Sequence, residues 1–307
     1  MANITAKMVK DLREKTSAGM MDCKKALVEA NGDEEKAIEI LRKKGLASAD
    51  KKGGRNAAEG VVNVVISDDY KTATISEINC ETDFVAKNDS FQEFVTATTE
   101  HIQKTEPVDV EALLNGEFKG AKFEEELKTT IAKIGENIVV RRFATIKAGE
   151  NGIVNGYVHM GGKVGVVVAA ACDKEETCEA IKDALKDIAM HAAAMAPKYL
   201  NPESIPAEDI EKEKEIAKAQ LEKEGKPAQV IEKIIPGKIA RFEKDNCLTK
   251  QEFVKSENKE TVEQFLANAA KKVGGEAKLV EYIRYEMGEG LTKNGCTLAA
   301  EVEAALS

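Results

Sequence analysis

The sequence predicts an α+β protein that has a small helical head and a duplicated core. Residues 1–55 carry apolar side chains at helical spacing in three short segments. Gly60–Lys71 aligns without gaps with Gly152–Lys163, and each segment has the strand–turn–strand pattern of a hairpin. A densely charged helical segment at about 208–224 and a second helical segment at about 229–243, which carries more apolar side chains, interrupt the second copy. These observations favour antiparallel sheets, packed helices and one inserted helical hairpin.

The composition is that of an ordinary globular protein, with 43% hydrophobic and 32% charged residues in a chain of 307. A chain of this length suffices for two or three domains. No run of about 18 apolar residues predicts a membrane span, and the N-terminus lacks the basic and apolar segments of a secretory signal. Six cysteines show neither Cys-x-x-Cys pairs nor metal-ligand spacing, which favours free thiols in a reducing cytoplasm.

Charge is unevenly distributed along the chain. The net charge is −9, but the first 55 residues contain 13 Lys and Arg against 9 Asp and Glu. A basic excess this small does not predict nucleic-acid binding, and the acidic remainder argues against it. The asymmetry favours separate modules.

Three helices are predicted in the head. Two lie at about residues 5–16 and 20–31, and the third follows Asp33, which is placed as its N-cap. Gly45 is predicted to end the third helix. Residues 46–59, which include two adjacent glycines and a lysine pair, are predicted to form a linker.

The adjacent methionines Met20 and Met21 cannot both point inward on one helical stripe, so one of them is expected at the surface. Such a methionine either fills a gap in the packing or contacts a partner with its flexible thioether. The residues alone leave these two alternatives open.

The two copies of the repeat are offset by 92 residues and are predicted to share one order of elements. A helix follows each hairpin, at about 90–103 in the first copy and 174–194 in the second. A further helix at about 123–133 precedes a strand at 138–146, and a strand at 278–286 is predicted to complete the second sheet. The helical hairpin is therefore an insertion within the second copy.

Prolines mark the inserted segment. Pro197, Pro202 and Pro206 predict an irregular segment before the first inserted helix, and Pro236-Gly237 predicts a kink or an interruption in the second. Near the end of the sequence, Thr297–Leu306 has the pattern of a short amphipathic helix.

The stretch Asn79–Asp89 joins the second strand of the first copy to the helix that follows it. It contains Thr82-Asp83-Phe84-Val85, which places an acidic residue beside an aromatic ring in a loop held between two regular elements. Phe84 could pack into the core and Asp83 could cap the next helix, or both could contact a partner. Where the first copy has Glu81-Thr82-Asp83-Phe84, the second copy has Asp-Lys-Glu-Glu, so the repeated fold does not require the aromatic ring. This difference favours the functional interpretation.

Candidate catalytic or ligand-binding residues are few. The glycines around Lys163 lie in a predicted hairpin turn with no helix start behind them, so they are interpreted as a turn and not as a phosphate site. His101, His159 and His191 lie on separate elements without metal-ligand spacing, and the apolar surroundings of His191 predict a core or interface histidine. Cys80 could act as a nucleophile only beside a titratable partner, and a buried residue at a strand end is the preferred interpretation. The sequence therefore predicts a binding protein that needs no cofactor or metal and is not an enzyme.

Five segments, some of them already described, carry a stronger signal when they are taken together. They are Leu12–Leu27, Asn79–Ala86, Lys133–Arg142, Ile188–His191 and Arg284–Gly290. Their sequences and their order resemble the bacterial elongation factor Ts family, and the resemblance spans nearly the whole chain.

The resemblance implies a ubiquitin-associated-like helical domain with its linker at residues 1–55, a first core subdomain at 56–148 and a second at 149–288. It also implies that a helical hairpin at about 206–244 interrupts the second subdomain and that a C-terminal module occupies 289–307. The fold expected from the resemblance is thus α+β, with duplicated subdomains that contain antiparallel sheets.

The function implied by the resemblance is guanine-nucleotide exchange in translation elongation, a stage of protein biosynthesis in the cytoplasm. The protein would bind elongation factor Tu in its GDP form, release GDP, and leave when GTP binds. Thr82, Asp83, Phe84 and Val85 would form the loop that enters near the Mg²⁺ site of the partner, with Phe84 wedged between partner helices. This protein–protein interaction involves no direct nucleic acid and no membrane, and it leaves open a homodimer or a two-plus-two complex with the partner.

The resemblance also places partner contacts outside this loop. Arg13, Met20 and Met21 would grip the GTPase domain, and His191 is included among the partner-binding residues because it lies in a family-like segment. The second core subdomain and the C-terminal module would contact other parts of the partner. Pro236 departs from the uninterrupted helix expected in the hairpin, so no contact is assigned to the hairpin tip.

Two other classes of function compete with this interpretation. An adaptor built on the helical head would explain residues 1–55 but neither the repeat nor the loop at Phe84. A thiol enzyme would need a titratable group near Cys80, and the sequence does not place one there.

Overall fold

The structure is a computed structural model that describes residues 4–16 and 18–291. Its mixture of helices and antiparallel sheet confirms the predicted α+β class. The helices are α1 (Ala6–Thr16), α2 (Met20–Glu29), α3 (Glu34–Lys52), α4 (Asp83–Ala86), α5 (Asp89–Thr105), α6 (Val110–Asn115), α7 (Phe123–Ile134), α8 (Glu175–Ala180), α9 (Lys182–Met195), α10 (Ala207–Lys223), α11 (Ala228–Asn246) and α12 (Val262–Lys271). The strands are β1 (Glu59–Ile66), β2 (Thr72–Cys80), β3 (Glu117–Phe118), β4 (Ala121–Lys122), β5 (Ile138–Lys147), β6 (Gly152–His159), β7 (Val164–Cys172) and β8 (Ala277–Glu286). The helix predicted at 297–306 lies outside the described residues.

Three helices, α1 to α3, form the head as predicted. Apolar side chains from all three meet in a small core, in which Leu12, Cys23 and Leu27 are almost fully buried. Asp33 caps α3 as predicted, because its carboxylate accepts a hydrogen bond from the backbone N–H of Lys36 at 3.1 Å. The ubiquitin-associated-like arrangement of these helices stays a prediction.

Helix α3 is longer than predicted because Gly45 does not end it. The helix continues to Lys52 and occupies the first half of the predicted linker at 46–59. A Cβ atom on Gly45 would lie 3.2 Å from the Cβ of Ala132 in α7, so the glycine lets the two helices approach closely. The predicted break is wrong because one helical glycine costs only about 1 kcal/mol, which helix packing offsets.

Each copy of the repeat forms a three-stranded sheet. The strand order is β1-β2-β5 in the first sheet and β6-β7-β8 in the second, so the third strand pairs with the second strand of the hairpin in both copies. β6 and β7 are antiparallel, with Gly152 opposite Ala171 and His159 opposite Val164. β8 completes the second sheet as predicted, and the inserted helices lie between β7 and β8 in the chain.

A short helix and a long helix follow each hairpin. These are α4 and α5 in the first copy and α8 and α9 in the second. α4 begins at Asp83 and α8 begins at Glu175, which preserves the 92-residue offset of the repeat. The prediction of one continuous helix at 174–194 is wrong. Ile181 leaves the helical conformation while its side chain stays fully buried in the core, so tertiary packing overrides the continuous apolar pattern.

Each copy also has its own apolar core. Phe91, Phe123 and Ile78 are fully buried in the first, and Leu185 and Leu266 are almost fully buried in the second. Burying a side chain of this kind contributes roughly 1.5–3 kcal/mol. The core of the first copy therefore stabilises the elements that flank residues 82–85.

The inserted segment forms two long helices, α10 and α11, as predicted. α11 continues through Pro236, so the predicted interruption does not occur. Proline cannot donate the hydrogen bond that would run from its backbone nitrogen to the carbonyl of Glu232. Both residues are exposed, so water can hydrogen-bond to the carbonyl that proline leaves without a donor.

Packing divides the chain into two compact units. The first contains the described residues up to Asn63, then Ser76–Phe143 and the segment that starts at Glu286. The second contains Val64–Ile75 and Ala144–Tyr285. The finer division into four parts that the family resemblance implies is carried forward as a proposal.

The first unit contains a fully buried carboxylate. Glu77 on β2 is 0% exposed and accepts hydrogen bonds from Arg141 Nη1 at 2.9 Å, Arg142 Nε at 2.6 Å and the backbone N–H of Gly288 at 2.8 Å. Arg141 and Arg142 lie on the neighbouring strand β5. One carboxylate thus ties together two strands and the segment that follows β8.

Candidate functional site

The predicted loop is a capped helical turn at the end of β2. The strand ends at Cys80, and α4 starts at Asp83. Thr82 is the N-cap of α4, because its hydroxyl oxygen accepts a hydrogen bond from the backbone N–H of Val85 at 3.3 Å. The alternative in which Asp83 caps the next helix is wrong, since Thr82 caps α4 and Asn88 caps α5.

Phe84 is the exposed side chain of this turn. Its side chain is 80% exposed, whereas Ala86 is buried and Val85 packs against the core of the first copy. The alternative in which Phe84 packs into the core is therefore wrong, because the turn directs Val85 and Ala86 inward instead. Almost the whole ring is available to a partner, and aromatic rings supply much of the binding energy at protein interfaces.

Asp83 is paired within the same turn. The Lys87 ammonium group lies 2.8 Å from the Asp83 carboxylate, and this hydrogen bond raises the pKa of Lys87. Both side chains are exposed, and exposed ion pairs contribute only about 0–1 kcal/mol. A partner group can therefore displace Lys87 from Asp83 with little loss of stability.

A carboxylate from another segment holds the backbone of the loop. Glu136 lies between α7 and β5 and accepts hydrogen bonds from the backbone N–H groups of Glu81 at 3.1 Å and Thr82 at 3.0 Å. It also accepts one from the Thr82 hydroxyl at 2.7 Å. The sequence did not predict this role. The available signal is that Glu136 directly follows Gly135, which ends α7 with φ 93°, and so lies where the chain reverses.

The three predicted contact residues of the head are all exposed. Arg13 lies near the end of α1, and Met20 and Met21 open α2. Met20 is 48% exposed and Met21 is 61% exposed, so the expectation that only one methionine reaches the surface is wrong. Both lie in the first turn of α2, and its inward face is formed further along the helix, by Cys23 and Leu27 among others.

His191, in contrast, is a core residue. Its side chain is 0% exposed, its Nε2 donates a hydrogen bond to Gln251 Oε1 at 3.0 Å, and its Nδ1 accepts one from the backbone N–H of Val254 at 3.1 Å. Direct contact between this side chain and a partner does not fit its burial. We therefore leave His191 out of the proposed contact set.

The stability of the protein should depend on pH through His191. Burial lowers the pKa of its imidazole, and the hydrogen bond to Gln251 opposes this shift only partly. As the pH falls below about 6.5, the unfolded state takes up a proton that the folded state resists, so stability is lost by up to about 1.4 kcal/mol per pH unit. Urea unfolding at pH 7.5 and pH 5.5 should show a smaller difference for His191→Gln than for the unsubstituted protein. Equal differences would contradict the prediction.

Cys80 has the features of a structural residue. It is fully buried, and its thiol donates a hydrogen bond to the carbonyl oxygen of Thr82 at 3.2 Å. The three histidines contact other groups: His101 stacks on Phe123 and meets Phe118 edge to face, the ring of His159 lies tilted against Tyr157, and His191 forms a hydrogen bond with Gln251. This arrangement favours a role for Cys80 in holding the loop over a role as a nucleophile.

The sequence of the chain matches a known family over most of its length. Residues 81–289 match the family described as Elongation factor TS. The chain belongs to this family. Members that are similar along their whole length include Elongation factor Ts of Nautilia profundicola, which is 71% identical over 307 residues and 100% of both chains. Elongation factor Ts of a Nitratiruptor species is 60% identical over 301 residues, and that of Clostridium novyi is 46% identical over 303 residues, each over 98% of both chains.

Membership of the elongation factor Ts family makes this protein a translation elongation factor. The site built around Phe84 lies within the matched region, at its N-terminal end. The head, with Arg13, Met20 and Met21, lies outside residues 81–289 but within the region over which the chain aligns with its full-length relatives. The match therefore extends far beyond the head, on which the adaptor alternative depends.

Three further observations concern residues 4–16 and 18–291. None of the helices there is long and apolar enough to cross a membrane. No group of three or more His, Cys, Asp or Glu side chains in those ranges could hold a metal ion. The cysteines in those ranges all keep reduced thiols, and Cys296 lies outside them.

Proposed function

We propose that this member of the elongation factor Ts family is a guanine-nucleotide exchange factor for elongation factor Tu. It binds the GDP form of the partner, disturbs the Mg²⁺ site, promotes release of GDP and leaves when GTP binds. It acts in the cytoplasm, where elongation takes place, and makes or breaks no covalent bond. The observation that carries the proposal is the 80% exposed ring of Phe84 at the tip of a capped turn between two regular elements.

The physical task of such a factor is to stabilise the nucleotide-free partner. A guanine nucleotide is held by Mg²⁺ and by backbone N–H groups around its phosphates. A protein that binds the empty state better than the GDP state must lose affinity for the partner when GDP binds, by the same factor by which it weakens GDP. The factor therefore needs a group whose binding is incompatible with an intact Mg²⁺ site. A group that only lies beside the site would not weaken GDP binding.

The loop supplies such a group. Phe84 wedges between partner helices near the Mg²⁺ site, where its ring replaces packing that the closed site needs. Asp83 exchanges its exposed contact with Lys87 for a partner group and holds the displaced arrangement. Thr82 and Val85 support the loop, since Thr82 caps α4 and Val85 packs against the core.

Other surfaces add affinity. Arg13 and the exposed methionines Met20 and Met21 grip the GTPase domain of the partner, where flexible thioethers adapt to an apolar surface. The second core subdomain, proposed to span residues 149–288 with its hairpin at about 206–244, contacts other parts of the partner. The C-terminal module proposed at 289–307 does the same. A homodimer or a two-plus-two complex is compatible with this scheme.

The proposal is tested by timing the release of GDP. Elongation factor Tu from the same organism is loaded with a fluorescent GDP analogue and chased with unlabelled GDP, alone and with increasing concentrations of this protein. Release should become much faster and saturate as the concentration rises. In parallel, the protein should bind the nucleotide-free partner more tightly than the GDP-loaded partner.

An unchanged release rate, obtained with folded and monodisperse protein, would refute the proposed exchange activity. Faster release with equal affinity for the empty and GDP-loaded partners would contradict the linkage on which the mechanism depends. Binding without any acceleration would point to the adaptor alternative, with the head as its binding surface.

A further inference from the structure

Comparison of the two copies separates the contacts that the repeated fold needs from those that belong to the loop. In the first copy, Glu81 Oε1 accepts a hydrogen bond from the backbone N–H of Asn137 at 2.6 Å, directly before β5. In the second copy, the residue 92 positions later is Asp173, and its Oδ1 accepts one from the backbone N–H of Glu276 at 3.0 Å, directly before β8. Both copies thus join the end of the hairpin to the start of the third strand through an acidic side chain. This contact belongs to the repeated fold.

The contact made by Glu136 occurs in the first copy only. Glu136 precedes Asn137, and the residue that precedes Glu276 in the second copy is Gly275. That glycine has no side chain to offer, and a Cβ atom there would lie 1.9 Å from Thr177 Oγ1. Lys174 occupies the N-cap of α8 without a side-chain capping bond. The copy that lacks the aromatic tip therefore also lacks the carboxylate that holds the loop.

Glu136 acts on the loop through its cap. The Thr82 hydroxyl donates to Glu136 at 2.7 Å and accepts from the backbone N–H of Val85 at 3.3 Å, so the carboxylate sets the direction of the capping hydroxyl. The backbone N–H groups of Glu81 and Thr82, which precede α4, also donate hydrogen bonds to this carboxylate. A helix of four residues is far too short to hold its own shape. The direction in which Phe84 projects therefore depends on contacts from outside the turn.

We infer that Glu136 is a positioning residue of the exchange loop: it fixes the Thr82 cap so that Phe84 is presented in one orientation before the partner arrives. The inference rests on the proposed exchange function. A loop ordered in advance does not lose conformational freedom when it enters the partner, so more of its contact energy is available to displace the nucleotide. The role is specific to exchange because the fold of the second copy is complete without it.

The first test uses the free protein. Backbone amide exchange is measured at Glu81 and Thr82 in the unsubstituted protein, in Glu136→Ala and in Glu136→Gln, together with the midpoint of thermal unfolding. Glutamine keeps an oxygen for the two backbone N–H groups and can donate to the Thr82 hydroxyl. We expect the two amides to exchange about tenfold faster in Glu136→Ala and to change much less in Glu136→Gln. Glu111→Ala, at an exposed position of α6, is the matched control and should change neither amide.

The second test measures exchange on the partner and separates positioning from general weakening. The maximal rate of GDP release at saturating protein should fall about tenfold in Glu136→Ala, while the half-saturating concentration, which also depends on the head, changes less. Glu136→Gln should recover most of the rate. In a Phe84→Ala background, Glu136→Ala should have little further effect, because the group that it positions is already absent.

Each outcome supports or overturns the positioning role. Faster amide exchange with an unchanged maximal release rate would show that Glu136 is only structural, and additive effects with Phe84→Ala would exclude positioning. If the amides of Glu81 and Thr82 exchange at an unchanged rate in a folded Glu136→Ala protein, the hydrogen-bond arrangement itself is refuted. If Glu136→Ala does not fold, the test passes to Glu136→Gln: faster exchange of the two amides together with a lower maximal release rate supports the positioning role, and a change in one without the other overturns it. A failure of the unsubstituted protein to accelerate release would refute the proposed function, and the positioning role with it, whatever the amides show.

Discussion

Phe84→Ala is expected to lower the stimulated rate of GDP release by roughly 30-fold, corresponding to about 2 kcal/mol for the loss of an aromatic anchor from an interface. The same substitution should leave the stability of the free protein unchanged within about 0.5 kcal/mol, because the 80% exposed ring contributes almost no buried area to the fold. If the ring acts as a wedge, Phe84→Ala should lower the maximal rate of GDP release that is reached at saturating concentrations of this protein. The measurement is the fluorescent GDP chase with both proteins, accompanied by thermal unfolding.

A matched control is available in the same unit. Val108 is 89% exposed and lies between α5 and α6, after the C-terminal end of α5, whereas the capped turn precedes the N-terminal end of that helix. Val108→Ala should change neither the release rate nor the unfolding midpoint. A Phe84→Ala protein that keeps the full release rate would remove the wedge from the mechanism, and a protein that loses much stability would show that the ring packs against the fold.

Of the substitutions proposed here, Glu77→Gln is expected to have the largest effect on stability. It should lower the free energy of unfolding by about 3–5 kcal/mol. Glutamine preserves the volume of the side chain but removes the charge that faces two guanidinium groups. Arg141 and Arg142 are only 24% and 29% exposed, so neither cation is fully hydrated once its partner is gone. Urea unfolding of both proteins measures the loss. The backbone amide of Gly288, which donates to Glu77, should also exchange faster in the variant.

Glu289→Gln is the matched control for this prediction. Glu289 lies 3.0 Å from Arg142 as well, but its carboxylate is 53% exposed, and exposed ion pairs contribute about 0–1 kcal/mol. The two variants remove the same chemical group from the same arginine and differ in burial. Equal losses of stability would contradict the view that burial makes the Glu77 carboxylate decisive.

The order of elements was largely predictable from the sequence. Apolar periodicity predicted the head helices, both hairpins, the third strands and the inserted helices. The predictions that were wrong concern where individual helices end, because tertiary packing and exposure decide this and the local sequence does not. Gly45 ends no helix because α7 packs against it, and Ile181 ends one because the core holds its side chain. Helix α11 continues through Pro236 because Glu232, whose carbonyl the proline leaves without a donor, is exposed and water can hydrogen-bond to that carbonyl.

The candidate site was predictable only in part. Thr82, Asp83, Phe84 and Val85 are adjacent in sequence, and their absence from the second copy singled them out. Glu136 is distant from this stretch in the sequence, so no local pattern links it to Thr82. A glutamate on a strand, such as Glu77, is ordinarily interpreted as a solvent-facing residue. Its partners come from β5 and from the segment after β8, and only the folded chain brings them together.

The shared link between hairpin and third strand has a consequence for how this protein can evolve. Glu81 and Asp173 join the two turns to the third strands. The residues at the tips, Phe84 and its counterpart Glu176, are exposed and so contribute little to folding. Substitutions at either tip are therefore expected to leave folding largely unchanged, and only a tip that contacts a partner should be restricted in the residues it accepts. A library that varies both positions should show nearly any residue accepted for expression at each, while growth that depends on translation constrains position 84 and leaves 176 free. The second turn therefore accepts substitution at position 176 with little loss of folding.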